Sequence, residues 1–147
     1  MKRFPLVMTV MFLSVLFFGT LAYGQDAKAL TLQGIEQCNA GKFGQAIATF
    51  DKALKKKPND PNLLCLRGRA YTAKGQYDRA LADLNQAIKL NPRLGQAYFS
   101  RGMVYVYQEK YDEAVEEVKK AASHGYKDAD FLKYVQKMAK RKKKKYK

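Results

Sequence analysis

The sequence predicts an all-α fold, an α-solenoid of three helix–turn–helix repeats closed by a C-terminal capping helix. The first observation is that residue types align in columns when the chain is written in rows of 34 residues. The columns are Gly34, Gly68 and Gly102; Ala46, Ala80 and Ala114; Ala53, Ala87 and Ala121; and the aromatic set Phe43, Tyr77 and Tyr111. A period of about 20–50 residues is typical of stacked repeats, and at this length the unit is two helices joined by a turn.

The glycine column is the second observation. Glycine inside a helix costs about 1 kcal/mol relative to alanine, so three glycines at one register indicate a packing reason. Each lies twelve residues before an alanine, as Gly34 does before Ala46, and we expect the two helices of a repeat to approach closely there. The alternative, that these glycines end helices, is disfavoured because Leu64, Gly68 and Tyr71 continue one helical spacing.

The N-terminal segment begins with Lys2 and Arg3 and continues as an uncharged, apolar stretch. Ala22 and Gly24 form a small-x-small site of the kind that ends a secretory signal peptide. The sequence therefore predicts a signal peptide over residues 1–24, cleaved before Gln25. The alternative is an uncleaved inner-membrane anchor, because residues 4–23 just reach the roughly 20 residues that span a bilayer. Either way the repeat body is predicted to be exported, to the periplasm or the cell exterior.

The three repeats are predicted over residues 27–60, 61–94 and 95–128. Their helices are expected over residues 27–40 and 45–57, 61–74 and 78–90, and 95–108 and 112–123. Pro61 suits the first position of a helix, and Asp78 and Asp112 are the expected N-caps of the helices that follow them. A seventh helix is predicted from residue 128, with residues 129–140 as the cap that a stack needs at its end. Residues 141–147 are too charged to pack and are predicted to be disordered.

This pattern resembles the tetratricopeptide repeat family over about residues 27–128. The residues that carry the resemblance in the middle unit are Leu64, Gly68, Tyr71, Gly75, Tyr77, Ala80, Leu84, Ala87 and Pro92. The departures are Leu30 and Leu64 where the family often has Trp, Gln37 where it often has Tyr, and Tyr126 where it has Pro. The resemblance implies a non-catalytic module that binds an extended peptide or a partner helix in its inner groove, and we expect an adaptor or scaffold of this kind.

One stripe along the first helices is expected to face this groove. It consists of Thr31, Ile35 and Cys38 in the first unit, Cys65, Arg69 and Thr72 in the second, and Phe99, Met103 and Val106 in the third. The two-carboxylate clamp of chaperone-binding family members needs Lys and Asn where this chain has Thr31 and Ile35, so that specificity is not expected. The alternative is that the apolar residues of the third unit are core, covered by the capping helix.

Charge is concentrated at the C-terminus. The net charge is +15, yet residues 25–132 carry only +4, and residues 133–147 contain nine basic residues and no acidic one. The tail residues Lys140, Arg141, Lys142, Lys143, Lys144, Lys145 and Lys147 therefore carry an alternative function, binding to an anionic membrane surface or another polyanion. A solvated tail without a partner is the other interpretation. Sequence-specific nucleic-acid binding is not expected, because few aromatic residues lie among these lysines.

Catalytic, metal and cofactor chemistry have little support in the sequence. His124 is the only histidine and lies beside Gly125 in an expected turn, and no nucleophile has a spaced His–Asp partner. Cys38 and Cys65 are expected about 10 Å out of register on parallel helices, which is too far for a disulfide between them. Free thiols, or at most an intermolecular bond, are therefore predicted. Three units are the lower limit for a stable stack, and exposed Leu30 and Leu32 on the uncapped first helix would allow self-association.

Overall fold

The computed structural model describes residues 26–145, and within that range the chain forms seven α-helices and no strand. The helices are α1 (Ala27–Asn39), α2 (Phe43–Lys56), α3 (Pro61–Ala73), α4 (Tyr77–Leu90), α5 (Gly95–Tyr107), α6 (Tyr111–Ser123) and α7 (Ala129–Lys145). The predicted α-solenoid is confirmed, and the first six helices begin and end within two residues of their expected bounds. The predicted signal peptide or anchor lies outside the described residues.

The helices pair in sequence. α1 packs on α2, α3 on α4 and α5 on α6, while α2 also contacts α3 and α4 also contacts α5. α7 packs on α6. The core between these helices contains Phe50, Leu84, Val104, Val118 and Val135, each fully buried. Among residues 26–145, no helix is both long and apolar enough to cross a bilayer.

The glycine column has the packing role that its register predicts. Gly68 is buried in α3, and a Cβ there would lie 2.9 Å from Leu84 Cγ and 3.3 Å from the Ala80 carbonyl oxygen. A Cβ at Gly34 would likewise meet the Phe50 side chain, and a Cβ at Gly102 would meet the Val118 side chain. The residue that fills the space is thus sixteen positions after the glycine, while the alanine twelve positions after it brings the backbone close.

The prediction that Asp78 and Asp112 are the N-caps of α4 and α6 is wrong. The aromatic column supplies the first residue of α2, α4 and α6, so each aspartate lies inside the first turn, and no side chain caps these three helices. Two other aspartates do cap helices. Asp60 Oδ1 accepts hydrogen bonds from the backbone amides of Asn62 and Leu63 at the start of α3, and Asp128 Oδ1 accepts one from Phe131 at the start of α7.

The C-terminal tail is also different from its prediction. α7 continues to Lys145, so residues 141–145 are helical where disorder was expected. This end of the helix makes two contacts, one with the turn between α5 and α6 and one with the first turn of α6. Lys142 Nζ donates to the Glu109 carbonyl oxygen at 2.6 Å, and Lys143 Nζ lies 2.9 Å from Asp112 Oδ1. A lysine-rich segment therefore packs because carbonyl and carboxylate oxygens meet it.

The two leucines expected to be exposed on the first helix have different environments. Leu30 is 3% exposed and belongs to the core, which corrects that expectation, whereas Leu32 is 55% exposed. Both cysteines are free thiols, as predicted.

Candidate functional site

Two neighbouring cavities lie along the first helices of the repeats, and together they form a groove. The first cavity, of about 180 Å³, lies between α3 and α5, and its lining includes Arg69, Thr72, Phe99, Met103 and Tyr107. The second, of about 220 Å³, lies between α1 and α3 beside the start of α2, and its lining includes Ile35, Cys38, Phe43, Leu66 and Arg69. Arg69 and Ala73 belong to both, so the cavities meet at α3.

Among the described residues, Arg69 is the only charged one that lines either cavity. Its side chain is exposed and has no hydrogen bond or ion pair with any other residue in the range 26–145. The Arg69 charge acts on both cysteine thiols. Burial raises the pKa of Cys38 and of Cys65, and the positive guanidinium of Arg69 opposes each rise. The groove therefore holds one positive charge, unneutralised by any carboxylate among its lining residues, between two mainly apolar cavities.

Phe99 connects the groove to the capping helix. Its ring centroid lies 4.8 Å from that of Tyr126 and 5.0 Å from that of Phe131 in α7. One side of Phe99 is therefore covered by the cap, as the core interpretation expects. The side chain is still partly exposed and lines the first cavity with Met103. Phe99 is thus a fixed wall of the groove, and Met103 is the more adaptable apolar residue beside it.

The structure brings six of the nine predicted groove residues to the two cavities, namely Ile35, Cys38, Arg69, Thr72, Phe99 and Met103. The prediction that Cys65 faces the groove is wrong, because Cys65 is 1% exposed and its Sγ lies 3.9 Å from Ser100 Oγ in the core. Thr31 and Val106 are partly buried but line neither cavity. The hydroxyls of Thr31 and Thr72 donate to the carbonyls of Ala27 and Gly68 in their own helices.

Several lining residues are absent from the predicted stripe. These are Asn39, Phe43, Leu66, Ala70, Ala73, Gln96, Ser100, Tyr107 and Tyr126. Two of them had a signal in the sequence: Phe43 belongs to the aromatic column, and Tyr107 lies one helical turn after Met103 on the same face. Tyr126 enters from the loop before α7, at the position where the earlier repeats have proline, and a helical stripe cannot include it.

The described residues of the basic tail all lie at the surface, and Lys142 and Lys143 contact the neighbouring repeat. Lys142 contacts Glu109 in the turn between α5 and α6, and its Nζ also lies 5.7 Å from the centre of the Tyr111 ring. Lys143 contacts Asp112 in the first turn of α6. Lys140, Arg141, Lys144 and Lys145 are exposed, and Lys147 lies outside the described residues.

No arrangement for metal binding occurs in the described range. Between residues 26 and 145, no group of three or more His, Cys, Asp or Glu side chains is placed to hold a metal ion. His124 stacks on Tyr98 with ring centroids 5.2 Å apart, in the turn before α7.

The fold and the groove define an α-solenoid of helix–turn–helix repeats, and comparison with known families identifies the repeat. Three family models match, one described as TPR repeat over residues 68–108 and two as Tetratricopeptide repeat over residues 49–82 and 95–123. The matches together extend from residue 49 to residue 123, just over half of the 147 residues. The chain belongs to the tetratricopeptide repeat proteins. No curated protein sequence matches it.

Solved structures of tetratricopeptide domains are similar to this chain. The first such domain of human RPAP3 has a TM-score of 0.74 at 24% identity, covering 80% of this chain and 95% of that one. The Sgt2 domain from Aspergillus fumigatus has a TM-score of 0.73 at 25% identity, covering 84% and 82% respectively. The first domain of Spaghetti (RPAP3) bound to the HSP90 peptide SRMEEVD has a TM-score of 0.71 at 25% identity, covering 80% and 93%.

Proposed function

We propose that this protein is an exported, non-catalytic adaptor whose groove binds an extended peptide segment of a partner protein. The observation that carries the proposal is the unneutralised Arg69 between two mainly apolar cavities. A guanidinium without a carboxylate partner is free to form charge-assisted hydrogen bonds with a ligand. The partly exposed apolar walls on either side would bury ligand side chains.

The ligand that fits best is a peptide with one carboxylate flanked by apolar side chains. The carboxylate would bond to Arg69, one apolar residue would enter the cavity beside Met103, and another would enter the cavity beside Ile35. A similar solved structure holds the peptide SRMEEVD, which has acidic residues at three of its last four positions. This groove has a single cation, with Thr31 and Ile35 where clamp residues stand in chaperone-binding relatives, so one carboxylate matches it better than a cluster.

Selection from a random peptide library displayed against the protein tests this binding mode. The selected peptides should share one Asp, Glu or free C-terminal carboxylate between apolar residues. Arg69→Gln should weaken them about tenfold or more, since a charge-assisted bond contributes roughly 1.5–3 kcal/mol. Arg93→Gln is the matched control, because Arg93 is exposed and lies outside both cavities. Equal losses in the two variants, or peptides without a carboxylate, would contradict the proposal.

Export is proposed from the sequence of residues 1–25, which combines a basic start, an apolar stretch and a small-x-small site. N-terminal sequencing of the protein from its host tests this part separately. A mature chain that starts at Gln25 in an extracytoplasmic fraction is the expected result. An intact N-terminus in the membrane fraction would favour the anchor, and an intact N-terminus in the cytoplasm would contradict export.

A further inference from the structure

The lysines of α7 serve two different purposes. Lys142 and Lys143 lie on the packed side, where the Glu109 carbonyl and the Asp112 carboxylate hold them. Four other lysines are spaced at intervals of four, three and four residues, namely Lys133, Lys137, Lys140 and Lys144. These four residues are called the lysine face. None of the four has a hydrogen bond or ion pair with another residue in the range 26–145, so packing of the helix does not explain their arrangement.

The lysine face is a straight row on the side of α7 that points away from the protein. At 100° per residue the four side chains fall within an arc of about 60°, opposite buried Val135, and they extend about 17 Å along the helix. All four are exposed, and none forms an ion pair with a carboxylate in the range 26–145. Asp130, in the first turn, is the only acidic residue of α7.

We propose that the lysine face docks on a membrane surface that is rich in anionic lipid. A bilayer offers a plane of negative headgroups, and a straight row of lysines on flexible stems can reach it along its full length. The predicted signal peptide over residues 1–24, or the alternative anchor over residues 4–23, would also bring this chain to a membrane.

The surroundings of the lysine face favour lipid over nucleic acid. Proteins that hold single-stranded nucleic acid combine a positively charged groove with several aromatic rings on which successive bases stack. Tyr134 is the aromatic residue on the flank of the face, and its ring stacks on Phe131 with centroids 6.3 Å apart. Arg141 is the one guanidinium on that side of α7. Tyr134 is 50% exposed, so the face offers a row of point charges beside a single open ring rather than a series of stacking surfaces. This arrangement suits headgroups that present charge and no ring.

Vesicle co-sedimentation of the full chain tests the proposal. The probes are vesicles of phosphatidylcholine alone and of phosphatidylcholine with an equal part of phosphatidylglycerol, at low and at physiological salt. We expect binding only to the vesicles with phosphatidylglycerol, and weaker binding as salt rises. Each lysine at an anionic surface contributes roughly fivefold, so the variant with all four lysines of the face changed to Gln should bind several hundredfold more weakly.

A matched variant separates the lysine face from net charge. Lys52→Gln, Lys55→Gln, Lys56→Gln and Lys57→Gln together remove the same charge from exposed positions at the end of α2, and we expect vesicle affinity within about twofold of the unmodified protein. Far-ultraviolet circular dichroism should be unchanged in both variants, because all the altered side chains are exposed. Equal losses in the two variants, no binding to anionic vesicles, or tighter binding to a single-stranded oligonucleotide would each overturn the proposal.

Discussion

Glu109 shows how one residue can depart from a repeat. In the first two units the turn between the paired helices contains Gly41 and Gly75, both with φ near +70°, and Glu109 holds the same position with φ +56°. A side chain in this left-handed region costs roughly 1–2 kcal/mol. Lys142 donates to the carbonyl oxygen of Glu109, so the docked end of α7 stabilises the turn where the glycine is absent.

Glu109→Gly should therefore stabilise the protein by about 0.5–1 kcal/mol, because the gain from removing the strain exceeds the entropy that glycine costs in the unfolded chain. The backbone carbonyl that receives Lys142 is retained. The reverse change at the equivalent position, Gly75→Ala, should destabilise by a similar amount, since a Cβ there contacts nothing within 4 Å and only the backbone conformation is penalised. Urea unfolding of both variants provides the measurement, and a destabilised Glu109→Gly would contradict this account.

The pKa of Cys38, which lines the groove, depends on the charge of Arg69. Burial raises the pKa of the Cys38 thiol and the Arg69 charge partly opposes that rise, so the reactive thiolate remains scarce at neutral pH. In a Cys65→Ser background, the alkylation rate of Cys38 should keep increasing beyond the pH at which an ordinary cysteine levels off. Arg69→Gln removes the opposing charge, raises the pKa further and should slow alkylation at a fixed pH. An unchanged rate in Arg69→Gln would show that the two groups do not interact, and a faster reaction would contradict the direction of the effect.

Paired helices are joined by an arginine that recurs at the repeat period. Arg67 Nε and Nη2 each lie 2.7 Å from an Asp83 carboxylate oxygen, and Nη1 lies 2.6 Å from Asp51 Oδ1. The same arrangement recurs 34 positions later, where Arg101 binds Glu117 and Asn85. Each arginine therefore connects its own first helix to the second helix of its unit and to that of the unit before.

Arg67→Ala should cost about 3 kcal/mol, because it leaves the nearly buried Asp83 carboxylate without its partner. Asp51→Asn should cost less than about 1 kcal/mol, since Asp51 is well exposed. Arg101→Ala should cost less than Arg67→Ala, because Glu117 keeps the ammonium of Lys120 at 3.3 Å. Thermal unfolding of the three variants tests this order, and equal costs for the two arginines would refute it.

The helices were predictable because the apolar spacing is set within one or two turns of helix, and the 34-residue period with its glycine column repeats that local pattern three times. The N-caps of the helices were harder to predict. Asp112 is a preferred N-cap residue type, yet it lies one position inside α6 because the aromatic Tyr111 begins that helix. The length of α7 was not predictable from its own residues. Charge density alone favours disorder at residues 141–145, and the oxygens that dock Lys142 and Lys143 lie more than 30 positions earlier.

At the scale of the whole molecule, the groove was predictable as a stripe but not as a surface. Helical spacing placed Arg69, Phe99 and Met103 on one side of the stack, where the structure has them. The same stripe included Cys65, which is buried because α5 packs over it through Ser100. It omitted Tyr126, whose place depends on the path of a loop. Neighbouring helices and loops decide which residues of a stripe remain open to a ligand.

The central claim, that the groove is the surface that binds a partner, is tested most directly by photocrosslinking in the host cell. A photoreactive residue at position 103 lies in the groove, and one at exposed position 86 in α4 lies outside both cavities. We expect position 103 to capture one dominant partner, Arg69→Gln to abolish that capture, and position 86 to capture none of it. Capture from both positions alike, or a product formed only with the protein's own α7, would contradict the claim.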